Sequence, residues 1–155
     1  MDVRLNPGDP APRFQLPDQD GRLVGLDSFK GRRVVVYFYP KDDTPGCTKE
    51  ACQFNDALTA FRGLSVDVLG VSADGGASHQ RFRSKYGLEF ALLSDPDHRV
   101  AEAYGAYGEK TMYGKPATGV IRSTFLVDPD GKIEQALYNV RATGHVAKLR
   151  RDLKL

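Results

Sequence analysis

The chain has no apolar run near the roughly 20 residues that a membrane-spanning helix requires, so no span is expected. Its start, from Met1 to Pro12, carries Asp2, Arg4 and Asp9 and no apolar stretch of signal-peptide length, which leaves a cytoplasmic address as the expectation. Histidine is sparse: His79, His98 and His145 stand far apart. With only two cysteines beside them, they do not form the paired short spacings of a zinc site, so no metal is expected. Excess charge is also missing. The net charge is +2, and the densest basic group, Arg141, Lys148, Arg150, Arg151 and Lys154, has no aromatic platform or base-reading motif beside it. It reads as a solvated helix face, and no nucleic acid is expected as a partner. Internal repeats and low-complexity tracts are absent too.

What is there is a globular composition, 41% hydrophobic and 27% charged, over 155 residues. That length gives one domain a full core and leaves little room for a second, so a single domain over 1–155 is expected. Val34 to Tyr39 is a continuous apolar and β-branched run between Arg32-Arg33 and Pro40, the pattern of a central strand buried on both faces. Further strands are expected at Val66–Val71 and Thr124–Val127, with a short one at Leu92-Leu93. Asp128-Pro129-Asp130-Gly131 is a turn signal, and Lys132–Tyr138 is the returning strand of a hairpin.

Cys47, Ala51, Phe54, Leu58 and Phe61 recur at spacings of four, three, four and three, which predicts an amphipathic helix from Pro45 to Arg62 that stops at Gly63. Other helices are expected at Ser78–Tyr86, Pro96–Tyr104 and Thr143–Leu153. Pro7, Pro10, Pro12 and Pro17 make the first 30 residues an extended or hairpin extension. Alternating strands and helices closed by a hairpin and a helix predict an α/β fold with helices on both faces of a sheet.

The two cysteines sit at the most informative place in this pattern. Thr44 is a favoured N-cap type, Pro45 suits the first helical position, and Gly46 permits close backbone approach, so Cys47 falls on the first turn. There it meets unpaired backbone N–H groups and the positive end of the helix dipole, surroundings that favour a thiolate. Cys52 lies about 140° around the helix, off the apolar stripe and near Thr48, Asn55, Asp56 and Thr59. The asymmetry makes Cys47 the attacking thiol and Cys52 the one that resolves its oxidised product. On one helix their Cα atoms would be roughly 8 to 9 Å apart, beyond the about 7 Å that a disulfide tolerates, so a bond between them requires unwinding. The plainer alternative is two ordinary buried cysteines.

The stretch from Tyr37 to Cys52, with Pro40, Thr44 and Cys47 in a Pro-x-x-x-Thr-x-x-Cys spacing and a second cysteine five residues on, resembles the active-site segment of the peroxiredoxins. Within them it is most similar to the bacterioferritin-comigratory or Q-type subfamily. Gly70-Val-Ser72-Ala-Asp74, the segments from Ser78-His79 to Leu92-Leu93-Ser94-Asp95, Met112-Tyr113-Gly114-Lys115 and Arg122-Ser123-Thr124-Phe125 extend the resemblance from about Asn6 to Leu153.

This resemblance implies a thioredoxin-like fold and a thiol peroxidase acting on hydrogen peroxide and organic hydroperoxides. It implies Cys47 as peroxidatic and Cys52 as resolving cysteine, and Thr44 as the hydroxyl that hydrogen-bonds the peroxide. Pro40 would shield the pocket, and Arg122, which composition alone would leave on the solvated surface, would stabilise the thiolate. A thioredoxin-type reductant restores the thiols, and neither a cofactor nor a second subunit is required, so a monomer is expected. Glu50 reads as a solvated helix residue and His79 as structural. A thioredoxin-like disulfide oxidoreductase would need the Cys-x-x-Cys spacing that this chain lacks. A redox sensor would need Cys47 to react only once.

Overall fold

The computed structural model describes residues 4–112 and 114–153; Tyr113 of the Met112–Lys115 segment, Lys154 of the basic group and the first three residues lie outside them. Five strands form the central sheet. They are β3 (Arg33–Phe38), β4 (Val66–Ser72), β5 (Ala91–Ser94), β8 (Ser123–Val127) and β9 (Ile133–Leu137), in the order β5-β4-β3-β8-β9. β3, β4 and β5 run parallel, whereas β8 and β9 are antiparallel additions, so the sheet is mixed. The remaining strands form two hairpins: β1 (Gln15–Pro17) with β2 (Leu23–Gly25), and β6 (Tyr107–Met112) with β7 (Lys115–Val120).

Val34 to Tyr39 are at most 1% exposed, so the apolar run of β3 is buried on both faces as its composition requires. Alternate residues serve different layers. Val35, Tyr37 and Tyr39 face the long helix α1 (Pro45–Gly63), Phe82 of α2 (Gly76–Tyr86), and Val146 and Leu149 of α4 (His145–Asp152). Val34, Val36 and Phe38 face the other way, toward Phe14, Leu16, Leu26 and the short helix α3 (Arg99–Ala103). Helices cover both faces, but unequally: three stand on one side, and the other is completed by the N-terminal hairpin. The hairpin form of the N-terminal extension is the one found.

The stripe on α1 is buried as its spacing predicts: Cys47, Ala51, Phe54, Leu58 and Phe61 are at most 2% exposed. Phe54 stacks on Tyr37 with ring centroids 4.5 Å apart, and each fully buried phenylalanine contributes about 1.5 to 3 kcal/mol. The far half of α1 is also tied to the chain beyond α2, because Asn55 donates to the carbonyl of Gly87 at 3.0 Å and accepts from the amide of Glu89 at 2.8 Å. At the sheet's other end, the Asp128 carboxylate accepts from the amides of Asp130 and Lys132, both at 2.9 Å, and Gly131 takes φ +82°, closing the β8–β9 turn.

Two expectations are corrected. The helix placed over Pro96–Tyr104 begins only at Arg99, because His98 adopts a left-handed φ of 59° and the Asp95 carboxylate takes the amides of Val100 and Ala101 at 3.2 and 2.9 Å. The β6–β7 hairpin is a wholly unexpected element. Gly108, Gly114, Pro116 and Gly119 interrupt the alternation by which strands are read.

Candidate active site

β3 ends at Phe38, and a six-residue connection, Tyr39 to Thr44, leads into α1, which Pro45 opens. Both acidic residues of this connection are fastened to α2. Asp42 accepts from Ser78 Oγ at 2.8 Å and lies 2.7 Å from His79 Nδ1, and its amide donates to Asp74 at 2.8 Å. Asp43, at φ 57°, is bonded by Lys85 Nζ at 2.9 Å and by the Tyr86 hydroxyl at 2.8 Å. His79 is thus structural, as expected, and completely buried. These bonds fix where α1 begins, and therefore where its first turn carries Cys47.

Thr44 has the extended backbone of an N-cap, φ −95° and ψ 156°, but its side chain does not cap the helix; the hydroxyl donates to the Lys41 carbonyl at 2.9 Å. Its proton is committed there, so toward a bound molecule the Thr44 oxygen is an acceptor. Pro40 is exposed at the strand end, and Cys47 is 2% exposed. Both cysteines are free thiols on one continuous helix, Cys47 buried and Cys52 partly exposed. Burial and then the charge of Asp56 push the Cys52 thiol up, away from ionisation at neutral pH.

Arg122, between β7 and β8, reaches Cys47 from the strand beside β3, where Ser123 pairs with Phe38. Its Nη2 is 3.3 Å from Cys47 Sγ, its Nη1 donates to Glu50 Oε1 at 2.6 Å, and its side chain is only 16% exposed. Burial works against its charge, yet Glu50 and Cys47 together hold its pKa above the ordinary value. A guanidinium with a donor aimed at the sulfur favours the anion there. Gly46 leaves room for the approach: a Cβ at that position would stand a tight 3.3 Å from Arg122 Nη2 and 3.3 Å from the Ala142 methyl.

Glu50 corrects the sequence reading. It is completely buried, not solvated, because it lies four residues before Phe54 on the same face of α1. That spacing was the available signal. Sequence reasoning also missed His145, whose Nε2 is 3.2 Å from Glu50 Oε2, and nothing in its local pattern pointed there. Lys110 of β6 is the third residue unforeseen: its Nζ donates to the Val120 carbonyl at 2.7 Å, and burial followed by the nearby Arg122 charge pushes its pKa down. The structure therefore brings together Cys47, Arg122, Glu50 and His145, keeps Thr44 on the same turn, and sets Cys52 on another side of the helix. Among the described residues no group of three or more acidic, histidine or cysteine side chains could hold a metal.

A mixed sheet whose central strand runs into a helix with a buried, arginine-faced thiol on its first turn defines a thioredoxin-like thiol protein. Residues 7–136 match the AhpC/TSA family, and a protein of Mycobacterium tuberculosis named as a peroxiredoxin is 60% identical over 153 residues, covering 99% of this chain and 98% of its own. Peroxiredoxin Bcp of Escherichia coli is 49% identical over 141 residues, 91% of this chain and 90% of that one. Among solved structures, a mutant of PrxQ from Xylella fastidiosa superposes with a TM-score of 0.91 at 36% identity, covering 98% and 97% of the two chains. The bacterioferritin comigratory protein of Xanthomonas campestris, studied for its alkyl peroxide reduction activity, gives 0.85 at 40% identity over 91% and 90%. The chain belongs to the AhpC/TSA family, within it to the peroxiredoxins of the bacterioferritin-comigratory or Q type.

Proposed function

We propose that this single domain is a thiol-specific peroxidase that reduces hydrogen peroxide and organic hydroperoxides. The Cys47 thiolate attacks the terminal peroxide oxygen in line with the O–O bond, forming an S–O bond as the O–O bond breaks. Cys47 becomes a sulfenic acid, and the departing alkoxide or hydroxide takes a proton and leaves as alcohol or water. Arg122 and the Cys47 amide stabilise the charge that develops on the oxygens, and the Thr44 oxygen accepts the peroxide hydrogen. Pro40 borders the approach.

Cys52 then condenses with the sulfenic acid, releasing water and closing a Cys47–Cys52 disulfide. The about 8 to 9 Å between helical positions five apart requires the first turns of α1 to unwind for this step. A thioredoxin-type dithiol of the cytoplasm reduces the disulfide by exchange and is itself oxidised, so no organic cofactor enters the cycle. With both cysteines on one chain, a monomer suffices.

The observation that carries this reading is the Arg122 donor 3.3 Å from a buried Cys47 sulfur on a helix's first turn. A coupled assay with thioredoxin, thioredoxin reductase and several hydroperoxides tests it. Cys47→Ser is expected to abolish peroxide-dependent turnover, and turnover surviving that change sinks the assignment. Cys52→Ser is expected to consume one equivalent of peroxide per chain without forming the internal disulfide by intact mass; continued cycling at the native rate would remove Cys52 from its role.

A further inference from the structure

Glu50 has no exposed surface, and only one of its oxygens is well bonded: Oε1 accepts from Arg122, whereas Oε2 has no hydrogen bond among the described residues. A buried carboxylate oxygen without a donor is costly, so its surroundings carry information. What faces Oε2 is the imidazole of His145, with Nε2 at 3.2 Å, within ion-pair distance but off the line of a hydrogen bond.

The other ring nitrogen constrains the protonation state. His145 Nδ1 lies 2.7 Å from the carbonyl oxygen of Arg141, a pure acceptor, so Nδ1 carries a hydrogen. A neutral ring would then turn the Nε2 lone pair toward the Glu50 carboxylate, with only Thr124 Oγ1 at 3.3 Å to donate to it. An imidazolium instead offers Glu50 the missing positive partner, in a site where the ring is 7% exposed and packs edge-on to Phe54.

We infer that His145 is a positioning residue of the thiol site: as an imidazolium on α4 it is the second counter-ion of Glu50 and holds that carboxylate where its other oxygen fixes Arg122 against Cys47. Charges then alternate from thiolate to guanidinium to carboxylate to imidazolium. Without the last, the Glu50 charge is uncompensated and offsets more of the support that Arg122 gives the sulfur. The groups facing His145 are Glu50 and Phe54 from α1, Thr124 from β8 and the Arg141 carbonyl; Arg122 is bonded to the same Glu50 and in turn to Cys47, and the buried Tyr37 hydroxyl lies within reach of the Glu50 charge.

This inference rests on Cys47 being the attacking thiol, but its test does not require peroxidase activity. In the Cys52→Ser background, where only Cys47 can be alkylated, His145→Gln is expected to slow alkylation about three- to tenfold at pH 6.5 and to match the parent near pH 9. Glutamine keeps a donor and loses the charge. Adding Glu50→Gln is expected to erase the His145→Gln effect, because the charge to be compensated is gone. In the unaltered protein, nitrogen-15 spectra at pH 6.5 are expected to show both His145 ring nitrogens protonated. A single protonated nitrogen, an unmoved pH profile in His145→Gln, or an effect of full size in the Glu50→Gln background would each overturn the inference. A chain with the shifted profile but no peroxide turnover would instead sink the proposed function and leave this coupling standing.

Discussion

Two buried carboxylate–histidine pairs flank the start of α1, and they are built to different standards. Asp42 is fully provided for: Tyr39, Ser78 and His79 all point at its oxygens, and His79 passes its second nitrogen to the Leu93 carbonyl at 3.1 Å. Glu50 is not, since its Oε2 meets His145 out of line. The complete cluster fastens a loop to α2 and the sheet, where rigidity is what the fold requires. The incomplete one sits beside the thiol, in turns of α1 that must come apart if Cys47 is to reach Cys52. Perfect satisfaction there would oppose the motion.

Breaking the complete cluster should have the largest effect on stability. Asp42→Ala leaves a buried histidine without its partner and is expected to cost about 3 to 5 kcal/mol in chemical denaturation. The second-order peroxide rate of the fraction that remains folded should change far less. An unaltered denaturation midpoint would remove the distinction between the two pairs. Arg122→Leu acts on the other pair and should show chiefly in the chemistry: the peroxide rate falls by about 10²- to 10³-fold, the range for losing one charge-stabilising donor, and stability falls as well because the buried Glu50 loses its one hydrogen-bond donor among the described residues. Rapid-mixing measurement of Cys47 oxidation checks it.

The smallest effect is expected at the exposed clamp of Asp43 with Lys85. Hydrogen bonds from Lys85 and Tyr86 hold the Asp43 pKa below its ordinary 3.8, so its contribution is complete above that value and is lost as pH falls through the lower folded value. Lys85 has the opposite sign: bonds to Asp43 and Tyr86 raise it above 10.5, and its contribution disappears as pH rises through the folded value. The stability difference between Lys85→Met and the parent should therefore be flat across neutral pH and vanish at both extremes. A difference that grows in acid would contradict the clamp.

The same comparison shows what was legible in the sequence. Strand β3 and the stripe of α1 follow from continuous or periodic apolar residues, whose burial is imposed by the solvent and needs no knowledge of distant neighbours. Cys47 was legible because Thr44, Pro45 and Gly46 are local helix-start chemistry. Arg122 needed the resemblance, since nothing beside it in sequence says that the strand it precedes lies next to β3 and brings it to a sulfur 75 positions away. Glu50 was half legible from its spacing to Phe54, but its charge argued the other way. His145 was out of reach, because its partner Glu50 lies on a different helix and pairwise polar contacts leave no period. The β6–β7 hairpin failed for yet another reason: its glycines and Pro116 read as punctuation when they are part of the ribbon.

The ties of Asp43 to α2 and of Asn55 to the Gly87–Glu89 loop stand at either end of the segment from Thr44 to Phe54. As helix those eleven residues span about 16 Å, and as extended chain up to about 36 Å. Roughly 20 Å of slack therefore appears between two fixed posts, enough for the cysteines to meet while neither post moves. Helix–coil relaxation takes on the order of a microsecond, whereas enzymes turn over about 1 to 10³ times per second. In the proposed cycle each opening, which unseats the buried Ala51 and Phe54, recloses much faster than turnover unless the disulfide forms. The speed of that step would report an equilibrium, the fraction of time this tethered thread is slack.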